Sequence, residues 1–493
     1  MFEKVLIANR GEIAVRIIQT CREMGIGTIA LYEAPDQNSL HVRLADECVL
    51  LEAPGGFLNQ QAILDIAREK GADAIHPGYG FLAERPDFVQ ACQAAGITFI
   101  GPPASAMTLV NNKIETLRRA RAAGFATVEH TSARFGAGEL AALRQAADDL
   151  GYPLVVKSCR GGRGRAERLV RAPDQLDQAV RRAQAEAHAV FGDRHLYLEK
   201  AIIPAHQVGV QVLGDQHGHL IHLGEREGSL LVSNRKVIEE SPAPCLSPTL
   251  GQLLCQTAVE LARLFNYQNA GTVEFLVDES GRFYFCEIKA RLQVEHPLTE
   301  ARARVDLVRE QIRIAASESI DLQQDEIQLN GWSMLCRINA EDPRHHFLPS
   351  PGRLRRVRLP IGPEVRLDTY IYSGCDVPAA YDPLIAKLTV WDRDRALCRQ
   401  RIQRALEDLV LIGTATNLPL LQRVLGEPDF VGGAYSTEFL AHPFTQAPEP
   451  ACHLRDLAVA AAILYMQRNQ VFDPVVPERL QTGWHRNSRR LPE

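Results

Sequence analysis

Short apolar runs alternate with amphipathic stretches over the first hundred residues. Residues 4–8 (KVLIA) are apolar and meet a turn signal, residues 12–18 (EIAVRII) begin a helical pattern, and residues 27–32 (GTIALY) read as a second strand. The alternation continues with a helix over 61–70, a strand over 73–75, a helix over 86–95 and a strand over 98–100. Strands alternating with helices predict βαβ units and a parallel sheet. A doubly wound α/β domain is therefore expected, ending near residue 110, with 1–112 as its bounds.

Residues 112–150 are rich in Ala and Arg and predict mostly helix, closed by Gly151-Tyr152-Pro153. Leu154-Val155-Val156-Lys157 reads as a buried strand running into a loop of Gly and Arg, and 174–190 as an amphipathic helix. Strand-like runs at 195–200, 207–213, 219–223, 272–277 and 282–288 predict an α+β lobe with an antiparallel sheet. A third part, 331–445, mixes short strands and helices. From about 446 a Pro-rich linker leads to an Ala-rich helix over 455–467. There is no internal repeat and no low-complexity tract.

Composition narrows the function classes. A chain of 493 residues exceeds one ordinary domain of roughly 100–200 residues. The net charge of −5 gives no basic bias toward nucleic acid or an anionic membrane, so a polyanionic ligand has to be held by local Lys and Arg. Eleven scattered cysteines without a C-x-x-C pair argue against a disulfide framework or metal knuckle and suit a reducing cytoplasm. The first residues do not read as a signal peptide, and no apolar stretch nears the roughly 20 residues of a membrane span.

Three constellations carry chemistry. Lys157 closes a strand before Arg160-Gly161-Gly162-Arg163-Gly164-Arg165; glycines admit phosphates to backbone N–H groups and the basic side chains add charge. The spacing is neither the P-loop nor the dinucleotide fingerprint, and a basic surface loop has the same composition. Glu274 in GTVEFL and Glu287 in FYFCEIK lie on strands joined by a turn at Asp278-Glu279-Ser280-Gly281, so both carboxylates can face one side. Paired carboxylates beside a triphosphate hold Mg²⁺ through hard oxygens, although two solvated strand glutamates would read alike. In Arg291-Leu292-Gln293-Val294-Glu295-His296, alternation on an edge strand puts Arg291, Gln293 and Glu295 on one face, able to hold an oxyanion and supply a base. Lys236 in RKVIEE and Arg337 in CRINAEDP read by themselves as surface charges. His76 in HPGYGF reads as a structural, hydrogen-bonded histidine rather than a base.

These pieces occur together in one family. IANRGEIAVRI, HPGYGFLAE, FIGPP, GYPLVVK, GTVEFL, RLQVEHPLTE, CRINAEDP and LPSPG resemble, in order, the biotin carboxylase subunits and domains of biotin-dependent carboxylases, from Met1 to about residue 445. The resemblance implies the biotin carboxylase fold: the N-terminal α/β domain, an ATP-grasp domain over 113–330 with a mobile lid at about 130–203, and a C-terminal mixed domain over 331–445. It implies a ligase that activates bicarbonate with ATP as carboxyphosphate and passes the carboxyl group to N1 of biotin. By position, Lys113, Lys157, Gly161, Gly162, Gly164, Glu199, Lys200, Ile202 and Leu276 match nucleotide-binding residues, and Glu274 and Glu287 the ligands of Mg²⁺ or Mn²⁺. Lys236, Arg291, Gln293 and Val294 match the bicarbonate site, Glu295 the base, and Arg337 the residue that stabilises the biotin enolate.

Some positions depart from the family pattern. Arg160, Arg163 and Ala166 replace glycines of the loop and Glu167 a methionine; Gln207 and Gly209 replace His and Glu; Leu231 and Asn234 replace Gln and His; Lys289 replaces an Asn beside the metal, where an ammonium would compete with a Mg²⁺ ion. The changes cluster at ATP, while the bicarbonate and biotin positions survive. The alternatives to an active carboxylase are therefore an impaired or non-catalytic paralogue with a structural or regulatory role, or an ATP-grasp ligase for another acid. The tail over 446–493 resembles the segment after this domain in acyl-CoA carboxylase α-subunits, and no A-M-K-M biotinylation motif is present. The expected partners are thus a biotin carboxyl carrier on another chain or beyond this sequence, a carboxyltransferase subunit, and a second copy in a homodimer or larger assembly, without nucleic acid or membrane.

Overall fold

A computed structural model describes residues 1–159, 168–441 and 452–470, in two compact units, 1–445 and 446–493. The glycine-rich loop with Gly161, Gly162 and Gly164, its four substituted positions, and the Pro-rich linker lie outside the described residues.

The first lobe is the expected doubly wound sheet. Strands Glu47–Leu50, Gly27–Tyr32, Lys4–Ile7, Ala74–His76 and Thr98–Phe99 lie side by side in that order, all parallel. Helices Gly11–Glu23, Gln60–Glu69 and Pro86–Ala94 supply the crossovers. The central Lys4–Ile7 strand is apolar on both faces because helices cover both, which is why its sequence runs KVLI without alternation. His76 ends its strand fully buried; its Nδ1 accepts the Gly78 N–H at 3.1 Å, and burial pushes its pKa down to about 3, so it is a neutral structural acceptor.

The second sheet has eight antiparallel strands: Phe283–Lys289, Asn269–Asp278, Ala205–Gly214, Leu220–Val232, Arg235–Ser241, Trp332–Asn339, Leu384–Asp392 and Val365–Thr369. It runs on across residue 330, so the parts expected on either side of that residue share one hydrogen-bonded layer. One expectation changes here. The strand read over 219–223 continues to Val232, because the charged run Glu225-Arg226-Glu227 that interrupts its apolar pattern is buried and paired rather than a turn. Residues 112–150 are mostly helical, as expected, but not continuously: helices Lys113–Ala122 and Leu140–Leu150 flank a non-helical 123–139, which Gly124 opens at φ +90° and which bridges at Thr127 to Phe285, at His130 to Glu199 and at Phe135 to Leu196.

The stretch expected to be a lid contains a small sheet, Arg168–Val170, Leu154–Ser158 and Leu196–Lys200, packed on helices Leu140–Leu150 and Pro173–Phe191. Its apolar cluster, with Phe135, Leu143, Leu154, Val156, Leu176 and Leu198, is separate from those of the other lobes. In the second unit residues Cys452–Gln470 form one helix, longer than the 455–467 predicted. Among the described residues no helix is long and apolar enough to cross a membrane.

Candidate active site

The candidate site is assembled mainly on the large sheet. The hairpin Asn269–Asp278/Phe283–Lys289 turns at Gly281, whose N–H reaches Asp278 O at 2.9 Å and whose φ is +80°. Its register sets Glu274 directly opposite Glu287, so the two carboxylates share a face, as predicted. Glu274 Oε1 accepts from Gln293 Nε2 at 2.8 Å and lies 3.5 Å from Lys236 Nζ. Glu287 pairs with Lys113 through Oε2 and with Lys289 at 2.7 Å through Oε1. Burial would raise the Glu274 carboxyl, but Lys236 and Lys289 outweigh it and hold the group at about 2.

The segment Arg291–Glu295 is not the alternating strand its pattern suggests. It is a loop entering the helix His296–Ala303, with Glu295 at the helix N-cap and Pro297 in the first turn. Loop alternation mimics a strand in sequence; Pro297, which suits a first helical turn, marks where the chain instead enters a helix. Gln293 and Glu295 still meet the same cluster, but Arg291 diverges, its Nε 3.4 Å from Glu84 and its Nη1 donating to Leu292 O at 3.0 Å.

Glu295 is the centre. Lys236 Nζ donates to its Oε1 at 2.7 Å and Arg337 Nη2 to its Oε2 at 3.0 Å. Neither cation is the surface charge its isolated sequence position suggests. Lys236 enters through a gap left by Gly228, where a Cβ would stand 2.7 Å from Lys236 Cε. Arg337 lies on strand Trp332–Asn339 and also donates to Glu239 Oε2 at 2.8 Å. Burial alone would raise the Glu295 carboxyl; Lys236, Arg337 and Arg226 together hold it well below the usual carboxylate range.

Three buried groups here are not legible as site residues in the sequence. Glu239 shares Arg337 with Glu295, Arg226 donates to Gln293 Oε1 at 2.9 Å, and Gln211 accepts from Arg226 at 2.9 Å. The one signal that could find them is charge inside an otherwise apolar strand, since an interior arginine has to be paired.

On the lid, Lys157 Nζ lies 2.9 Å from Glu199 Oε2, and Tyr197 donates to Glu199 Oε1 at 2.7 Å. The Lys200 ammonium instead binds carbonyls of the preceding turn, at 3.0 Å to Gly151 and 3.2 Å to Tyr152. Ile202, Leu276 and Val294 are half-buried.

The departures outside the loop have local explanations. Gly209 pairs with Glu274 across the sheet, and a Cβ there would meet Thr272 Cγ2 at 2.9 Å, so the missing side chain makes room for the carboxylate strand. Gln207 reaches Glu274 Oε2 at 3.4 Å. Asn234 occupies the second place of a two-residue hairpin turn, with Ser233 at φ 49° and Asn234 at φ 60°, while Leu231 sits opposite Lys236.

The paired carboxylates are a hard-oxygen donor set suited to one Mg²⁺ shared with phosphates. With Lys113 and Lys157 nearby for phosphate and Lys236 and Arg337 around a base, the arrangement suits ATP-driven activation of a small carboxylate.

Comparison with known proteins agrees. Residues 1–107 match the biotin carboxylase N-terminal domain, 112–323 the carbamoyl-phosphate synthase L chain ATP-binding domain, and 335–442 the biotin carboxylase C-terminal domain. The biotin carboxylase of Nostoc sp. is 45% identical over 446 residues, covering 89% of this chain and 98% of that one. The propionyl-CoA carboxylase alpha chain of Ruegeria pomeroyi is 38% identical, covering 94% and 72%. Among solved structures, the biotin carboxylase domain dimer of Hydrogenobacter thermophilus 2-oxoglutarate carboxylase, with MgADP, ADP and bicarbonate, aligns with TM-score 0.88 at 40% identity, covering 91% of this chain and 100% of that one. With a relative this similar over nearly its whole length, the chain belongs to the biotin carboxylase family.

Proposed function

We propose that this chain carboxylates carrier-bound biotin with ATP and bicarbonate, as the biotin carboxylase component of an acyl-CoA carboxylase. The observation that carries the reading is the convergence of Lys236 and Arg337 on the buried carboxylate of Glu295, beside Gln293 and the paired Glu274 and Glu287.

Lys113, Lys157 and the loop glycines Gly161, Gly162 and Gly164 hold the phosphates; Glu199, Lys200, Ile202 and Leu276 form the rest of the nucleotide pocket. Glu274 and Glu287 would hold Mg²⁺, which when bound neutralises charge on the transferring phosphoryl group. Bicarbonate lies against Lys236, Gln293 and Val294, and against Arg291 once that side chain leaves Glu84. Glu295 takes its proton, the freed oxygen attacks the γ-phosphorus, and the bond to ADP breaks to leave carboxyphosphate. Glu295 begins ionised, as a base has to. Its two ion pairs make it a weak base until bicarbonate draws Lys236 onto its own oxygen, and each cation that turns away strengthens the base for the step that needs it. The C–O bond of carboxyphosphate then breaks, the departing phosphate takes the N1 proton of biotin, and Arg337 stabilises the resulting biotin enolate as N1 takes the carboxyl group.

The relatives support an assembly. A pyruvate carboxylase subunit of Methanothermobacter thermautotrophicus and a propionyl-CoA carboxylase alpha chain are among them, and the Hydrogenobacter domain is a dimer. This chain accordingly works in the cytoplasm as a homodimer or larger assembly with a biotin carboxyl carrier and a carboxyltransferase subunit. The test is ADP release by the purified chain with Mg·ATP, bicarbonate and free biotin. Biotin-stimulated turnover that falls ~10²–10⁴-fold in Glu295→Ala is expected. A folded protein with no bicarbonate-dependent turnover overturns the reading.

A further inference from the structure

The hairpin that carries the two carboxylates also carries a cation on the same face. Lys289 lies two residues beyond Glu287 on one strand, so the strand's period of two sends both side chains the same way. Its ammonium stands 2.7 Å from Glu287 Oε1 with the side chain only 13% exposed. Its field also reaches Glu274, where it is one of the two lysines that offset burial. Lys113 occupies the other oxygen of Glu287 but comes from a different element, the start of helix Lys113–Ala122. An arriving triphosphate can draw Lys113 away and free Oε2. Lys289 shares a strand with Glu287, so its backbone keeps the ammonium within reach of Oε1.

Phosphoryl-transfer sites often place two divalent ions, roughly 3.5–4 Å apart, between carboxylates and phosphates. Each such ion needs carboxylate oxygens at about 2.0–2.1 Å, and an ammonium at hydrogen-bond distance competes for that oxygen by taking a lone pair and repels a second cation beside it. Glu274 and Oε2 of Glu287 leave room for one ion, and Oε1 of Glu287 is taken.

We propose that Lys289 is a resident cation of the nucleotide site, its ammonium standing where a second divalent ion would bind Glu287, so that this chain loads ATP with a single divalent ion. The inference rests on the assignment of Glu274 and Glu287 to metal binding.

The test counts Mn²⁺ bound per chain by electron paramagnetic resonance at saturating adenylyl-imidodiphosphate, with the nucleotide-only background subtracted. One Mn²⁺ is expected for the unmodified chain and for Lys289→Arg, which keeps the cation. Two are expected for Lys289→Asn, which replaces it with an oxygen ligand. Two ions on the unmodified chain, or one on Lys289→Asn with an unchanged melting temperature, overturn the inference while leaving the metal assignment intact. No nucleotide-dependent Mn²⁺ on the unmodified chain overturns that assignment and the inference with it.

Discussion

At the scale of single residues, the site is built by making space for long cations as much as by placing acids. Lys236 reaches Glu295 because Gly228 has no side chain. Gly228→Ala forces a Cβ to within 2.7 Å of Lys236 Cε. Misplacement by about 1 Å costs as much as ~100-fold in rate, so kcat/KM for bicarbonate is expected to fall ~10–100-fold in Gly228→Ala. The checks are steady-state kinetics and an unchanged circular dichroism spectrum. Glu274 gives a pH signature. Its folded carboxyl titrates at about 2, below its ordinary 4.5, so the folded state binds the proton less readily than the unfolded one. That stabilisation, on the order of a few kcal/mol, is complete above about pH 4.5 and disappears as pH falls toward 2. Acid-unfolding curves of Glu274→Gln are expected to lack this part of the acid limb; coincident curves would remove Glu274 from the account.

At the scale of elements, the hairpin with the paired carboxylates is legible in the sequence because its chemistry and period agree: two glutamates on alternating strands, joined by a turn that ends in glycine. Arg291–Glu295 is not, because a loop entering a helix can alternate polar and apolar residues as a strand does, and only packing separates the two. The hairpin turn at Ser233-Asn234 offers a cleaner test of local rules. Asn tolerates positive φ and a β-branched residue does not. Asn234→Gly is expected to change stability by less than about 0.5 kcal/mol and Asn234→Val to cost about 1–2 kcal/mol, read from urea midpoints. Equal effects would mean that the turn geometry does not govern this position.

At the scale of the whole molecule, buried charges join the lobes. Lys387 is fully buried, 3.0 Å from Glu12 of the first lobe and 3.5 Å from Asp368 of the C-terminal part. Arg16 of the first lobe lies 3.0 Å from Glu300, which also takes Arg366 at 2.6 Å. Removing one member of a buried pair leaves an uncompensated charge, worth roughly 3–5 kcal/mol. Lys387→Met is expected to destabilise the chain by about that amount in denaturant unfolding, and a loss under about 1 kcal/mol would show that the network contributes little.

The sequence by itself determined the doubly wound first lobe, the paired carboxylates and the family, because strand period, turn chemistry and ordered motifs are local properties. It did not reveal that Lys236 and Arg337 converge on Glu295, since each stands alone among ordinary neighbours. It did not reveal Glu239, Arg226 or the turn of Arg291 toward Glu84. Only the tertiary structure decided these, because an isolated charge acquires a role from partners distant along the chain: Lys236 meets Glu295 across 59 positions, and Arg337 meets Glu239 across 98.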